Sequence, residues 1–333
     1  MTMKKFINHP DHLTTELLEG YCGAFPDKVK LVSGKIVMRA VPKDPRKVAL
    51  LTLGGAGHEP ALSGFVGEGL LDASVVGDIF AAPGAPKVIE AMRLLKRDAG
   101  ILFVVLNHAG DVMSGNLAME MAKQEGIKVR MILTHEDIAP GANAPIEDRR
   151  GLAGCIPLYK VAGAAAEAGK TLDEVYAVAE KFNNHMATLA VALKPATHPQ
   201  SGQEIFTLAD DEMEIGMGQH GEAGTGRSKM LSADETAVKM LQQLLLAVKV
   251  RKGDMVHVMI NGAGATTQME LFIVFRKVKL HLEAHGIKLA HALVGEYLTV
   301  QEMGGFQMFL AKVDDELLRL LNQPSNAPYW ITR

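Results

Sequence analysis

Apolar runs that end in glycine-rich loops are the feature that most constrains the fold. Residues 47–53, Lys-Val-Ala-Leu-Leu-Thr-Leu, form a continuous run of strand length. Such a run is typical of a strand that is buried on both faces. It leads directly into the loop Gly54-Gly-Ala-Gly-His58. Because α/β sheets bind their ligands at the carboxyl ends of the strands, this loop is a candidate site.

The same succession of strand, loop and helix recurs along the chain. Helical spacing over residues 84–97 precedes an apolar run at 100–106, and a second helical stretch at 114–125 precedes a run at 128–134. This alternation predicts a βαβ sheet with helices on its faces. A further strand is predicted at residues 187–193, and the second half repeats the pattern with strands at 254–260, 287–297 and 306–313.

The predicted fold class is α/β, with two domains that each contain a mixed, mostly parallel sheet flanked by helices. A chain of 333 residues has the length of about two domains. The prolines and the glycine of residues 194–202 interrupt both helical and strand periodicity. We therefore predict an N-terminal domain at 1–193 and a C-terminal domain at 194–333.

Composition argues against nucleic-acid and membrane partners. The net charge is −3, only 5% of residues are aromatic, and no lysine- or arginine-rich run supplies a phosphate-binding face. No apolar run approaches the length that spans a bilayer, and the N-terminus lacks the apolar core of a signal peptide. The two cysteines lie far apart in sequence, as expected of reduced thiols. A soluble, cytoplasmic protein is expected.

Two histidines occupy comparable glycine-rich loops. His58 follows the first loop, and His220 lies among the five glycines of residues 213–226. Each is followed closely by a glutamate, Glu59 or Glu222. An accessible imidazole with an orienting partner can act as a base or a nucleophile. We predict that the two loops meet in one site.

Other functions suggested by these loops find less support. The loop Gly54–Gly57 lacks the Gly-Lys-Ser/Thr ending of a P-loop and the third glycine of a dinucleotide fingerprint. His108 with Asp111, and His135 with Asp137, have spacings suited to metal ligands, but each pair lies on a different loop. No metal site is predicted. A hydrolase is disfavoured because the chain has no Gly-x-Ser-x-Gly elbow.

Five short motifs in order give the chain a family resemblance. Together they resemble the K subunit of dihydroxyacetone kinases, and the resemblance covers nearly the whole chain. The motifs are Gly54-Gly-Ala-Gly-His58-Glu-Pro60, Gly77-Asp-Ile-Phe80, Asn107-His-Ala-Gly-Asp111, Phe206-Thr-Leu-Ala-Asp210 and Met213-Glu-Ile-Gly-Met-Gly-Gln-His-Gly-Glu222.

The resemblance implies a subunit that binds a small ketose. The histidine that matches His220 attacks the substrate carbonyl and forms a covalent hemiaminal. The positions that match Asp111 and His58 assist proton transfer at the hydroxyl to be phosphorylated. The expected substrate-binding residues are Gly54, Gly55, Gly57, Leu106 and Asn107.

Partners and cofactors are also implied by the resemblance. Relatives that use ATP in a single polypeptide carry an additional helical nucleotide domain, which this sequence lacks. A separate L-type subunit is therefore expected to bring ATP or ADP and magnesium, or to relay phosphate from a phosphotransferase system, while this subunit binds no cofactor. A homodimer is expected. The alternative is a ketose-sensing co-activator of transcription that phosphorylates nothing; the presence of Asp111 favours the kinase.

Departures from the family pattern concern the sugar pocket. Leu106 stands where relatives specific for dihydroxyacetone usually have a lysine, and His108-Ala109 replaces their Tyr-Thr. Smaller or apolar side chains at this position leave room for a longer substrate. We therefore expect a ketotetrose or branched ketopentose as well as dihydroxyacetone among the candidate substrates.

Overall fold

Two six-stranded sheets organise the computed structural model, which describes residues 4–141, 143–222, 224 and 226–333. The helices are α1 Leu13–Ala24, α2 Ala85–Leu95, α3 Ala109–Gln124, α4 Cys155–Glu167, α5 Leu172–Asn183, α6 Ala233–Ala247, α7 Gln268–Ala284 and α8 Asp315–Leu321. The strands are β1 Val29–Val32, β2 Ile36–Arg39, β3 Ala49–Ala56, β4 Ala73–Ile79, β5 Ile101–Leu106, β6 Val129–Thr134, β7 Met186–Lys194, β8 Glu212–Ile215, β9 Arg227–Lys229, β10 Met255–Gly262, β11 Lys288–Gly295, β12 Gly304–Val313, β13 Ser325–Ala327 and β14 Trp330–Thr332.

The first sheet has the strand order β1-β2-β4-β3-β5-β6. Strands β3 to β6 pair in parallel, and β1 and β2 form an antiparallel edge. Every residue of β5 is buried, as its unbroken apolar sequence predicts. Because β3 and β5 run in parallel, the loops after Ala56 and Leu106 emerge at the same edge of the sheet.

The second sheet has the order β11-β10-β12-β7-β8-β9. Only β10 and β11 pair in parallel; the other pairs are antiparallel. Strand β7 pairs with β12 and β8, so it belongs to this sheet, although the sequence placed residues 187–193 in the N-terminal domain. The strands up to β6 therefore belong to the first sheet, and β7 is the first strand of the second sheet. The division at 193 and 194 as a boundary of folding units stays a prediction.

Helix α4 lies in the core between the two sheets. All of its residues except Glu167 are buried, which suits its run of alanine and other apolar side chains. One hydrophobic cluster joins α4 and α5 to Val104 of the first sheet and to Phe309 of the second. The two sheets thus share one hydrophobic cluster, and each also has a cluster of its own.

The predicted fold class, α/β with two helix-flanked sheets, is confirmed. The expected predominance of parallel pairing holds for the first sheet, whereas four of the five strand pairs in the second sheet are antiparallel. Capping boxes begin two of the helices: Thr171 with Glu174 starts α5, and Ser232 with Glu235 starts α6. In the described part of the chain, no helix has both the length and the apolar character needed to cross a bilayer.

Candidate active site

A cavity of about 270 Å³ lies where loops of the two sheets meet. It brings together the three residues for which the sequence predicts catalytic roles: His58, Asp111 and His220. Among the described residues that line it there is no lysine or arginine, so the cavity suits an uncharged ligand better than a phosphate. The lining residues are Gly54, Gly55, His58, Leu62, Phe80, Ala81, Ala82, Leu106, His108, Ala109, Gly110, Asp111, Gln219, His220, Glu222 and Leu298.

The His58 loop is held against the second half of the chain by backbone pairing. The N–H of Thr299 donates to the carbonyl of His58, and the N–H of Gln301 donates to the carbonyl of Gly57. The Nδ1–H of His58 in turn donates to the Thr299 carbonyl at 2.8 Å. Because a carbonyl can only accept, this contact fixes the tautomer of His58 and leaves its Nε2 as an acceptor.

The two predicted histidines are in direct contact: Nε2 of His58 lies 3.1 Å from Nε2 of His220. Burial, and then the charge of His220, lower the pKa of His58 to about 3, so His58 is neutral and its Nε2 accepts. The proton shared between the rings therefore belongs to His220. When that proton leaves, Nε2 of His220 has a lone pair at the cavity surface.

Glu222 is the partner that orients His220. Its Oε1 lies 3.3 Å from Nδ1 of His220, and its Oε2 accepts the backbone N–H of His220 at 2.8 Å. Burial alone would raise the pKa of Glu222, but the hydrogen bond and charge of His220 hold it well below its usual range. An ionised Glu222 fixes the Nδ1 proton and so directs Nε2 of His220 toward the cavity.

A half-buried arginine stabilises the loop that carries Glu222. Arg150 pairs with Asp137 at 2.6 Å and donates to the carbonyl of Gly216 at 2.7 Å. Its Nη1 lies 4.0 Å from Oε2 of Glu222. Asp137 is almost fully buried, so this ion pair is the main compensation for its charge.

Asp111 lies in the first turn of α3, so the prediction that it lies in a loop is wrong. Burial raises its pKa to about 7, and the nearby charge of His220 lowers it only in part. Two carboxyl groups in one cavity thus have opposite shifts, Asp111 upward and Glu222 downward. A carboxyl group with a pKa near neutrality is suited to general acid–base work.

His108 contributes a third imidazole to the cavity. Its Nε2–H donates to the carbonyl of Gly151 at 2.8 Å, which leaves Nδ1 with a lone pair. The side-chain amide of Gln219 lies 2.8 Å from the same Nε2. Burial, and then the charge of His220, lower the pKa of His108 to about 4, so the ring is neutral. Nδ1 of His108 lies 3.9 Å from Oε1 of Glu222.

An apolar wall completes the cavity. The ring centroid of Phe80 lies 5.1 Å from that of His58 and 5.6 Å from that of His220. Leu106, the expected substrate contact, lines the cavity and is 4% exposed. This wall excludes water from one side of the histidine pair, which strengthens the electrostatic interactions there.

The predicted glycines and Asn107 are only partly at the cavity. Gly54 and Gly55 line it, but Gly57 and Asn107 do not. An added Cβ at Gly57, where φ is +99°, would lie 2.8 Å from the ring of Phe80, so this glycine allows close packing of the loop. The side chain of Asn107 donates to the carbonyls of Glu147 and Arg149. It therefore supports a neighbouring loop.

Several residues of the site escaped sequence reasoning. Glu59 was expected to orient His58, but it accepts the N–H of Gly57, and Thr299 takes that role. No local pattern could identify Thr299, since it lies 241 residues from His58 in the chain. Phe80 carried a signal, because it closes the Gly77–Phe80 motif. His108 stood out in the sequence as a departure from the family and for its metal-ligand spacing to Asp111, but neither feature indicated its contact with Gly151.

The fold and the site define a class of protein: a two-sheet α/β protein whose cavity joins two histidine loops to a carboxyl group. The chain belongs to the Dak1 domain family, which matches residues 19–329. It is 38% identical over 98% of its length, and over the full length of the relative, to the "PTS-dependent dihydroxyacetone kinase 1, dihydroxyacetone-binding subunit DhaK" of Listeria innocua.

Solved structures share this fold closely. The dihydroxyacetone kinase of C. freundii in its native form has a TM-score of 0.90 at 30% identity, covering 99% of this chain and 61% of that one. The "Dihydroxyacetone kinase operon co-activator Dha-DhaQ" also has a TM-score of 0.90, at 32% identity, covering 96% of this chain and 98% of that one. The predicted resemblance is confirmed, and the similar structures include both a kinase and a protein named as a co-activator.

Proposed function

We propose that this protein is the ketose-binding subunit of a dihydroxyacetone-type kinase, and that His220 captures the ketose covalently. The observation that carries the proposal is the convergence of His58, Asp111 and His220 on one cavity of about 270 Å³. That cavity has the size of a small sugar, and its lining suits a neutral ligand. The relatives named as kinase subunits support the same function.

Capture is an addition of imidazole to a carbonyl. The lone pair on Nε2 of His220 forms the carbon–nitrogen bond, while the carbonyl π electrons move to oxygen, which takes up a proton. The Nε2 proton that His220 shares with His58 moves to that oxygen, and the Nδ1 proton stays on the ring beside the ionised Glu222, so no proton is gained or lost overall. An alcohol such as glycerol has no electrophilic carbon. Covalent capture therefore selects ketoses over polyols.

Anchoring at the carbonyl positions the terminal hydroxyl for phosphorylation. Asp111, with a pKa of about 7, takes the hydroxyl proton as the oxygen attacks the phosphoryl group. His58, whose Nε2 is an acceptor, orients the same hydroxyl by receiving a hydrogen bond from it. Positioning of the nucleophile supplies much of the rate in phosphoryl transfer.

The phosphoryl donor comes from a second subunit. No cationic side chain among the described residues lines the cavity, so these residues do not fit a nucleotide or its magnesium ion. The relative from Listeria innocua, named as a binding subunit, is matched over its full length, whereas the C. freundii kinase chain is matched over 61%. We infer an L-type partner that brings ATP or relays phosphate, and a homodimer of this subunit.

The apolar wall at Leu106 favours a substrate longer than dihydroxyacetone. A lysine at this position would extend a charge toward the sugar, whereas Leu106 leaves apolar space beside Ala109. A ketotetrose or branched ketopentose would use that space. The test is to measure turnover with a panel of ketoses. If dihydroxyacetone has the highest turnover per binding event, the preference for a longer substrate is excluded.

A co-activator is the second candidate function, favoured by the structural similarity to Dha-DhaQ. Such a protein would need His220 to bind the sugar but no base for phosphoryl transfer. Asp111, within the cavity and with a pKa near neutrality, favours the kinase.

Thermal denaturation with a panel of ketoses tests the function. A ligand that binds only the folded protein adds about 2.7 kcal/mol at a hundred times its Kd. We expect one ketose to stabilise the wild type, glycerol to have no effect, and His220→Ala to lose the response. Adding an L-type subunit and phosphoryl donor then separates kinase from co-activator, because only a kinase forms the sugar phosphate. If no ketose stabilises the protein, both proposed functions are refuted.

A further inference from the structure

We propose that His108, His220 and Glu222 form a binding site for a divalent transition-metal ion, with Zn²⁺ as the best match. One nitrogen of each imidazole and one carboxylate oxygen lie within 4.8 Å of one another. The sequence pairs His108 with Asp111, but the fold instead brings His108 next to residues that are more than 110 positions away. The ketose chemistry described above assigns no role to His108.

The donor atoms already approach tetrahedral spacing. With metal–ligand bonds of about 2.0–2.1 Å, two ligands of a tetrahedral zinc ion lie roughly 3.3–3.4 Å apart. Nδ1 of His220 and Oε1 of Glu222 are 3.3 Å apart, and Nδ1 of His108 and the same oxygen are 3.9 Å apart. Only small side-chain rotations are needed. All three residues are half-buried at the cavity, so water can complete the coordination.

Each proposed ligand is held by a second hydrogen bond on its far side. His108 donates Nε2–H to the carbonyl of Gly151, and His220 donates Nε2–H to His58. The second carboxylate oxygen, Oε2 of Glu222, accepts the backbone N–H of His220. Such contacts fix ring orientation and raise the basicity of the ligand, as is usual around metal-bound histidine.

The chemistry of the ligand set selects the ion. Two imidazoles with one carboxylate suit Zn²⁺, Ni²⁺ or Co²⁺ better than Mg²⁺ or Ca²⁺, which prefer sites made only of oxygen ligands. Arg150, the cation nearest to Glu222, lies 4.0 Å from Oε2 and is paired with Asp137, so Oε1 remains available.

Metal binding would prevent ketose capture, an effect that rests on the proposed function of His220. The metal replaces the proton on Nδ1 of His220, so the remaining ring proton stays on Nε2 and is donated to His58. Nε2 then has no lone pair with which to attack a carbonyl. The metal would therefore compete with the ketose for the same histidine.

Metal titration in the absence of ketose tests the site directly. The full chain is freed of metal with a chelator and titrated with Co²⁺, whose visible absorption reports tetrahedral coordination, and Co²⁺ is then displaced by Zn²⁺. We expect one strongly bound ion per chain. His108→Phe, which keeps the ring but removes its nitrogens, should weaken binding on the order of a hundredfold, a quarter of the binding free energy typical of four-ligand zinc sites.

His285→Ala is the matched control. The half-buried His281 on α7 and the exposed His285 at its C-cap form a stacked pair that is also able to bind cations. Strong binding should survive this substitution. Glu222→Gln provides a second variant should His108→Phe fold poorly in a circular dichroism melt, and it too should weaken binding.

Two results would overturn the proposal: unchanged affinity in both site variants, or loss of the strong site only in His285→Ala. A separate titration of the wild type with ketose and Zn²⁺ tests the competition. We expect the apparent Kd of the ketose to rise in proportion to Zn²⁺, and independent binding would refute competition. Because the Co²⁺ titration contains no ketose, failure of the proposed function and failure of the metal site remain distinguishable.

Discussion

Replacement of Asp111 by asparagine should stabilise the protein and remove part of its pH dependence. The folded-state pKa of Asp111 is about 7, against an ordinary value of 3.8, because burial disfavours the charged form. Between these values the native protein holds a proton that the unfolded chain has released. The free energy of unfolding therefore falls as pH rises from about 4 to 7, and levels off above 7.

The magnitude follows from the size of the shift. A pKa change of about three units at 1.36 kcal/mol each corresponds to at most about 4 kcal/mol at pH 8. Water at the mouth of the cavity reduces this, so we expect Asp111→Asn to gain about 2–4 kcal/mol at pH 8 and almost nothing at pH 4. The same substitution removes the proposed base, so phosphorylation should be lost as stability rises.

Urea denaturation at several pH values between 4 and 8 measures the effect. The exposed Asp98 provides a matched control, because Asp98→Asn removes the same charge outside the cavity. The reasoning is refuted if Asp111→Asn and the wild type show the same slope of stability with pH. A loss of stability at pH 8 would also contradict it.

Three further substitutions test other parts of the structure. Arg150→Met leaves the charge of Asp137 buried and unpaired, so it should lower the free energy of unfolding by about 3–5 kcal/mol in urea denaturation. The double variant Arg150→Met, Asp137→Asn should recover part of this loss. Equal losses in the single and the double variant would contradict a buried ion pair. Thr171→Ala removes the capping box of α5 and should cost about 1 kcal/mol by the same measurement, and no loss would refute it. Glu222→Gln weakens the charge-assisted hydrogen bond to His220, worth about 1.5–3 kcal/mol, so ketose affinity measured by thermal shift should fall at least about tenfold; unchanged affinity would show that Glu222 does not orient His220.

Much of the fold could be predicted because its strands and helices have strong local signals. The apolar run of β5 and the capping boxes of α5 and α6 are examples. Tertiary contacts set the partners of a strand, so the sequence holds no signal that β7 pairs with strands of the second sheet. Like β5, β7 is a mostly apolar run of strand length, and such a run does not show whether its pairing partners precede or follow it in the chain.

The site shows the same limit. The sequence predicts that His58 and His220 meet, because both follow strands and lie among glycines. In the structure their Nε2 atoms lie 3.1 Å apart. The contacts that hold the histidines of the site come from distant segments. The carbonyl of Thr299 fixes His58, and the carbonyl of Gly151 fixes His108. Backbone carbonyls can be supplied by any residue type, so the sequence holds no signal for them.

The most direct test of the central claim is the ¹³C NMR spectrum of a ketose labelled at its carbonyl carbon and bound to this protein. Covalent capture by His220 predicts that the carbonyl resonance of the bound ketose disappears and that a tetrahedral carbon attached to nitrogen replaces it. His220→Ala should abolish the new resonance. A ketose that binds tightly while its carbon remains a carbonyl would contradict the account, because the protein would then recognise the sugar without forming the hemiaminal.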